Sequence, residues 1–216
     1  MKFKVIILDF DGTIVESVGI KDEAFKTLFE EYPDHLEEIT NYHLSHNATV
    51  RFEKFRHITE NILRQKYTEE IERTLSKRFS ELVFQKIVEC PYVRGAEDFL
   101  NFFMGRVPLY LASASPADEL SKILSLRNMT EYFKKIYAVP WKKTDVIADI
   151  LRRENVAPKE AVAIGDSLED YRAALSMKIF FVGRQSGKFS GIMNIPILND
   201  LIEIRNFLCN MTPIRS

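Results

Sequence analysis

Two rhythms of apolar residues alternate along this chain. Val5 to Leu8 is a continuous apolar run, β-branched at three of its four positions. Such a run fits a strand buried on both faces of a sheet. Comparable runs recur at Val107–Ala112, Ile136–Val139, Ala161–Ile164 and Ile179–Val182. Between the later runs, Ala117–Leu126, Thr144–Arg153 and Leu168–Leu175 carry apolar residues every three to four positions, the period of a helix with one buried face. Ser115-Pro116 reads as a helix start, a capping hydroxyl followed by proline at the first helical position. Strands alternating with helices predict an α/β fold built on a doubly wound, parallel, Rossmann-like sheet.

The rhythm changes between about residues 18 and 90, where no run reads as a strand. Ile20, Ala24, Phe25, Leu28 and Phe29 mark one amphipathic helix. Phe52, Phe55, Ile58, Ile62 and Leu63 mark a second, and Ile71, Leu75, Phe79, Leu82 and Val83 a third. Pro33 separates the first helix from the rest of the block. The expected organisation is therefore an α/β core over residues 1–16 and 91–216, with an all-helical block inserted over 17–90. The sixteen phenylalanines of the chain need no cofactor to explain them, because core packing accounts for the stripes.

Composition narrows the class of protein. With 216 residues the chain can hold one full α/β domain and a small accessory one. A net charge of −1 gives no basic excess of the kind a nucleic-acid binder shows. Cys90 and Cys209 are too few for a disulfide framework and read as free thiols. No stretch reaches the roughly 18 apolar residues of a membrane span. The apolar N-terminal run meets Asp9 too early for a signal peptide. A cytoplasmic monomer or homodimer that binds neither membrane nor nucleic acid is the expectation.

Chemistry enters where apolar strands end. Asp9-Phe10-Asp11-Gly12-Thr13 follows the first strand, Ser113 the second, and Lys142-Lys143 the third. Gly165-Asp166-Ser167, with Asp170 four residues beyond Asp166, follows the fourth. Open parallel sheets bind ligands beyond the carboxyl ends of their strands, so these clusters should converge in one crevice. There Asp9, Asp166 and Asp170 would repel one another. A hard divalent cation such as magnesium resolves that repulsion, since it takes oxygen ligands and commonly joins one or two carboxylates to a substrate phosphate. A lysine and a hydroxyl complete a set suited to phosphoryl transfer. His35, His43, His46 and His57 all lie in the helical block and read as surface or core imidazoles.

The segments DFDGTIVES, LASASP, KKTDVIADIL and AVAIGDSLEDYRAA, in that order, resemble the four motifs of the haloacid dehalogenase superfamily. The first and fourth are the specific ones. The helical block resembles the cap of relatives such as phosphoglycolate phosphatase and β-phosphoglucomutase. The resemblance implies a magnesium-dependent phosphatase of a small phosphorylated metabolite, in kind a sugar phosphate. Asp9 would be the nucleophile that forms an aspartyl-phosphate. Asp11 would be the general acid and then the base. Asp9, the Asp11 carbonyl and Asp166 would ligate Mg2+, with Asp170 completing or orienting that shell. Gly12, Thr13, Ser113 and Ala114 would meet the phosphoryl group. Lys143 fits the motif-three lysine better than Lys142, because Ile147 follows it at four positions.

Asn47 to Lys54 reads as the start of a helix that sets Arg51 and Lys54 on one face, where they could grip an anionic substrate. The short links near Val15–Val18 and Val88–Tyr92 could act as hinges. Three alternatives stay open at this point. A sugar-phosphate mutase would share core and cap, and a non-catalytic family member would bind without turnover. A phosphorelay receiver also gathers aspartates, a hydroxyl and a lysine, but places its lysine last, whereas Lys143 precedes Asp166.

Overall fold

Val5–Leu8 forms β1, and all four of its side chains are buried. In the computed structural model, which describes residues 2–46, 49–192 and 194–211, β1 lies inside a six-stranded sheet. The other strands are β2 (Leu109–Pro116), β3 (Lys135–Val139), β4 (Ala161–Gly165), β5 (Phe180–Arg184) and β6 (Ile197–Leu198). Their order is β3-β2-β1-β4-β5-β6, and every pairing is parallel. The order turns back at β1, so β2 and β4 flank it, with Leu8 opposite both Leu111 and Ile164. The carboxyl ends of these three strands therefore lie side by side.

Chain contacts divide the protein into two compact units, Met1–Glu16 with Pro91–Ser216, and Ser17–Cys90. In the first unit, Val5, Ile7, Tyr110, Ala112, Ala161 and Ala163 of one sheet face join a core with Val146, Ile147 and Ile150 of α7 (Lys143–Glu154) and Ala173 and Ala174 of α8 (Leu168–Ser176). The β6 strand and the helices α5 (Ala96–Phe103) and α9 (Leu201–Asn210) complete the unit, and α6 (Ala117–Leu126) follows β2. The helical unit holds α1 (Val18–Leu28), α2 (Leu36–Ser45), α3 (Arg51–His57) and α4 (Glu69–Glu89). Its centre is a ring cluster in which Phe25, Phe29, Phe55 and Phe79 lie 4.9–6.5 Å apart. The second expected helix does not run uniformly, since α3 passes at Ile58–Ile62 into a π-helical turn.

Two boundaries differ from the sequence reading in a way that matters for the site. The β2 strand does not stop at Ala112 but continues through Ser113 to Pro116. A bulge between Ala112 and Pro116 lets Pro116 pair with Val139 of β3. Pro116 is thus the extended residue before α6, not its first helical residue, and Ser115 is a strand residue, not a cap. No described helix is long and apolar enough to cross a membrane. Cys90 is buried and Cys209 exposed, and neither forms a disulfide among the described residues.

Helix α7 is tied to the sheet through Asp149, which is nearly buried. Its carboxylate accepts from Tyr137 Oη at 2.7 Å, Lys135 Nζ at 3.3 Å, Arg152 at 2.5 Å and Arg153 at 2.6 Å. The Tyr137 hydrogen bond, followed by that of Arg153, holds the Asp149 carboxyl well below the usual carboxylate range. A folded-state pKa below the unfolded one gives stability that is present above the unfolded value, about 3.9, and lost as pH falls through and below it. Asp149→Asn should therefore lower the melting temperature by about 3–5 °C near pH 7. In thermal scans from pH 6 to pH 3 the gap between the two proteins should narrow as acid is added. A gap that stays constant would show that the carboxylate charge contributes nothing.

Candidate active site

The site is built at the carboxyl edge of β1, β2 and β4. Asp9 follows β1 directly, and its N–H donates to the Ile164 carbonyl at 3.0 Å, which continues the β1–β4 ladder. The chain then folds back on itself. Thr13, Ile14 and Val15 all donate to the Phe10 carbonyl, and the Gly12 N–H donates to the Val15 carbonyl at 2.8 Å. Gly12 makes this turn at φ +73°, in the left-handed region that costs glycine nothing. The turn is zipped to the returning chain by Val93 N–H on Ile14 and Glu16 N–H on Pro91. Asp11 is thereby held at the rim, half-exposed, while Asp9 is buried.

From β4 come Asp166 and, one helical turn later, Asp170. Ser167 caps α8 by accepting from the Asp170 N–H, and its own N–H and hydroxyl donate to Asp170 Oδ2. This reciprocal cap fixes the Asp170 side chain. Gly165 makes room for it, because a Cβ there would lie 2.3 Å from the Asp170 carboxyl carbon. As a result, Asp9, Asp166 and Asp170 are all buried and each offers a carboxylate oxygen within 4.8 Å of the others. This is the one such group of metal-ligating side chains found among the described residues.

Lys143, the first residue of α7, reaches into this group. Its Nζ lies 2.9 Å from Asp9 Oδ1 and also donates to Asp170 Oδ1. Lys142 precedes the helix and is exposed. Burial opposes the charge on Lys143, but Asp170 and Asp9 outweigh it and push the ammonium pKa up. Burial likewise pushes the Asp9 carboxyl well above its usual range; Lys143 opposes this, and Asp170, Asp166 and Asp11 add to it. Asp166 is raised by burial, against the pull of Lys188.

The other expected residues lie at varying distances from this centre. Ser113 is buried and accepts from the Ser115 N–H at 3.1 Å, and Ala114 beside it is exposed. Thr13 is fully buried, with its hydroxyl sealed from solvent and without a hydrogen-bond partner among the described residues. Gly12 offers its carbonyl to Arg184 at 3.3 Å. Arg51 and Lys54 belong to the helical unit and have partners within it. Arg51 donates to Ser80 Oγ at 3.1 Å and lies over the rings of Phe52 and Phe79. Lys54 is buried, 3.2 Å from His43 Nδ1, and His43 in turn meets Asp22 at 2.8 Å. Helix α3 starts at Arg51, after Val50; Asn47 and Ala48 of the expected helix start lie outside the described residues.

Two residues of the site are not assigned to it by the sequence reading. Ser115 is buried and its hydroxyl donates to Asp11 Oδ2 at 3.3 Å. Lys188 Nζ lies 2.6 Å from Asp166 Oδ2. A fifth polar cluster, Gln185-Ser186-Gly187-Lys188 after β5, is the available signal, since the same strand-end rule points to it.

Comparison with known proteins bears on the family and the fold. The family model for haloacid dehalogenase-like hydrolases matches residues 6–183. A 2-hydroxy-3-keto-5-methylthiopentenyl-1-phosphate phosphatase from Microcystis aeruginosa is 24% identical over 95% of this chain and 97% of its own. Among solved structures, the magnesium-bound HAD-hydrolase YfnB from Bacillus subtilis superposes with a TM-score of 0.72 at 16% identity, over 98% of this chain and 100% of its own. CbbY from Rhodobacter sphaeroides, in complex with xylulose-(1,5)bisphosphate, gives 0.71 at 18% identity, over 93% and 96%. At these identities the two structures speak for the fold.

Proposed function

The chain belongs to the haloacid dehalogenase-like hydrolases and is a phosphoric monoester hydrolase among them; we propose that it hydrolyses a small phosphorylated metabolite, with magnesium, through a phosphoryl group carried on Asp9. The observation that carries this reading is the buried meeting of Asp9, Asp166 and Asp170, with Lys143 bonded to both Asp9 and Asp170.

The donor set fits magnesium. It offers three carboxylates and no sulfur or imidazole, the oxygen-only chemistry a hard cation requires. Burial disfavours ionisation of Asp9 and Asp166, and a divalent cation between them would restore it. Asp9, Asp166, Asp170 and the Asp11 carbonyl are the groups that would hold it. Bound there, the ion would neutralise charge on the phosphoryl oxygens.

The reaction would be divided among the protein's own groups. An Asp9 carboxylate oxygen attacks phosphorus, and the bond to the leaving oxygen breaks. Asp11 gives that oxygen its proton. Ser115, hydrogen-bonded to Asp11, orients the carboxyl at the rim. Ser113 accepts from the backbone, so its own proton is available for a phosphoryl oxygen. Lys143 offsets the charge of Asp9 and Asp170 as the phosphoryl group arrives. Asp11, now ionised, takes a proton from water as the water oxygen attacks phosphorus; phosphate leaves and Asp9 is restored.

The substrate is proposed to be a sugar-like phosphate. The curated relative is named for a phosphorylated keto compound, and CbbY was solved with a sugar bisphosphate. In this reading the helical unit, Ser17–Cys90, serves as the family's cap and sets substrate choice. Purified protein should release phosphate from a panel of phosphate monoesters in magnesium. Chelator should cut the rate by at least about 100-fold, and added magnesium should restore it. Full activity in chelator would refute the metal assignment. Scoring the same reactions for isomerised sugar tests the mutase alternative, and isomerisation without phosphate release would favour it.

A further inference from the structure

Two ammonium groups already reach the acidic triad. Lys143 spans Asp9 and Asp170, and Lys188 meets Asp166. The loop after β5 that carries Lys188 is fixed from several directions. The Ser186 hydroxyl donates to the Asp166 backbone carbonyl at 2.6 Å, and the Lys188 N–H donates back to that hydroxyl at 3.4 Å. Next to Lys188, Phe189 is buried edge-on to Phe181, and its ring packs against Gly183, where a Cβ would come within 3.0 Å of it. Hydrogen bonds on one side and packing on the other thus deliver the lysine to Asp166. Its side chain is only 22% exposed, so the pair is shielded in a way that ordinary surface pairs are not.

We propose that Lys188 is a tethered counter-cation for Asp166 that sets how tightly the triad takes up a divalent cation. The proposal rests on reading the triad as a magnesium site. A cation that binds Asp166 must either displace the ammonium from Oδ2 or share the carboxylate with it. Displacement costs the ion pair. Sharing sets two positive charges a few ångströms apart where screening by water is weak. Both weaken metal uptake, so the direction of the effect does not depend on which occurs. In the metal-free protein Lys188 offsets the mutual repulsion of Asp9, Asp166 and Asp170, which keeps the site assembled.

Calorimetric titration with Mg2+ alone, without substrate, tests this on the full chain. Lys188→Met keeps the apolar stem and removes the charge, and Lys188→Gln serves as a second neutral variant. Both should bind Mg2+ about tenfold tighter than the wild type, a coupling of ordinary size. Lys188→Arg keeps the charge and should stay within about threefold of the wild type. The melting temperature of both neutral variants in chelator should fall below that of the wild type, and magnesium should raise it by more. If the wild type binds Mg2+ and the neutral variants bind it equally or more weakly, the counter-cation proposal is overturned and the metal reading stands. If neither wild type nor variants bind, the metal reading fails and takes this proposal with it.

Discussion

Replacing Asp9 by Asn should abolish phosphate release, with kcat at least about 10,000-fold below the wild type, equivalent to roughly 5.4 kcal/mol of barrier. Asn is nearly isosteric and leaves the fold undisturbed, because β1 and the hydrogen bond from the Asp9 N–H to Ile164 do not depend on the side chain. What it removes is a negative oxygen that can attack phosphorus. The site can hold that oxygen ionised only through its neighbours. Burial and three nearby carboxylates push the Asp9 proton affinity up, while Lys143, 2.9 Å away, pulls it down. The amide also relieves the crowding of charge, so Asp9→Asn should melt at or above the wild-type temperature. A stable Asp9→Asn protein that still turns over at a near-normal rate would remove Asp9 from the mechanism.

Lys143→Met should be the next most damaging change to the site. Lys143 is the side chain that bonds both Asp9 and Asp170, and it is 13% exposed. Methionine retains the apolar stem but leaves two buried carboxylates without their shared partner. Losses of about 100- to 1,000-fold in kcat, roughly 2.7–4 kcal/mol, are the scale for removing one charge-stabilising donor from a shielded site. Lys142→Met, one residue earlier and exposed, should leave kcat within about twofold of the wild type, as surface substitutions do. Steady-state kinetics of the two variants side by side decides between these lysines. Equal effects at both positions would mean that the bonds to Asp9 and Asp170 play no part in catalysis.

Much of this geometry is legible in the chain because its signals are local. The apolar runs that form β1 and β4 are buried on both faces, and the acids after them must emerge at one edge of a parallel sheet. The preference for Lys143 over Lys142 comes from the resemblance to the family's third motif, in which an apolar helix residue follows the lysine at four positions; that residue, Ile147, is buried in α7. The features that escape the sequence are decided by tertiary pairing. Ser115-Pro116 has the local chemistry of a helix start, but a bulge joins Pro116 to Val139 and turns the Ser115 hydroxyl over to Asp11. Lys188 belongs to none of the recognised motifs, and its place depends on Phe189 packing into the core. Lys54 reads as a substrate-gripping partner of Arg51, yet it is buried against His43 and the ring of Phe25.

The central claim is that the phosphoryl group passes through Asp9. The most direct test is to mix the protein with magnesium and isotopically labelled acetyl phosphate, quench in acid within the first turnovers, digest, and map the label by mass spectrometry. Slowing hydrolysis with Asp11→Asn should raise the trapped fraction, because the base that activates water is missing. The expected result is an acid-stable, alkali-labile phosphoryl group on the peptide containing Asp9, in both wild type and Asp11→Asn. Label on any other residue, or steady turnover with no label at Asp9 in either protein, would contradict it.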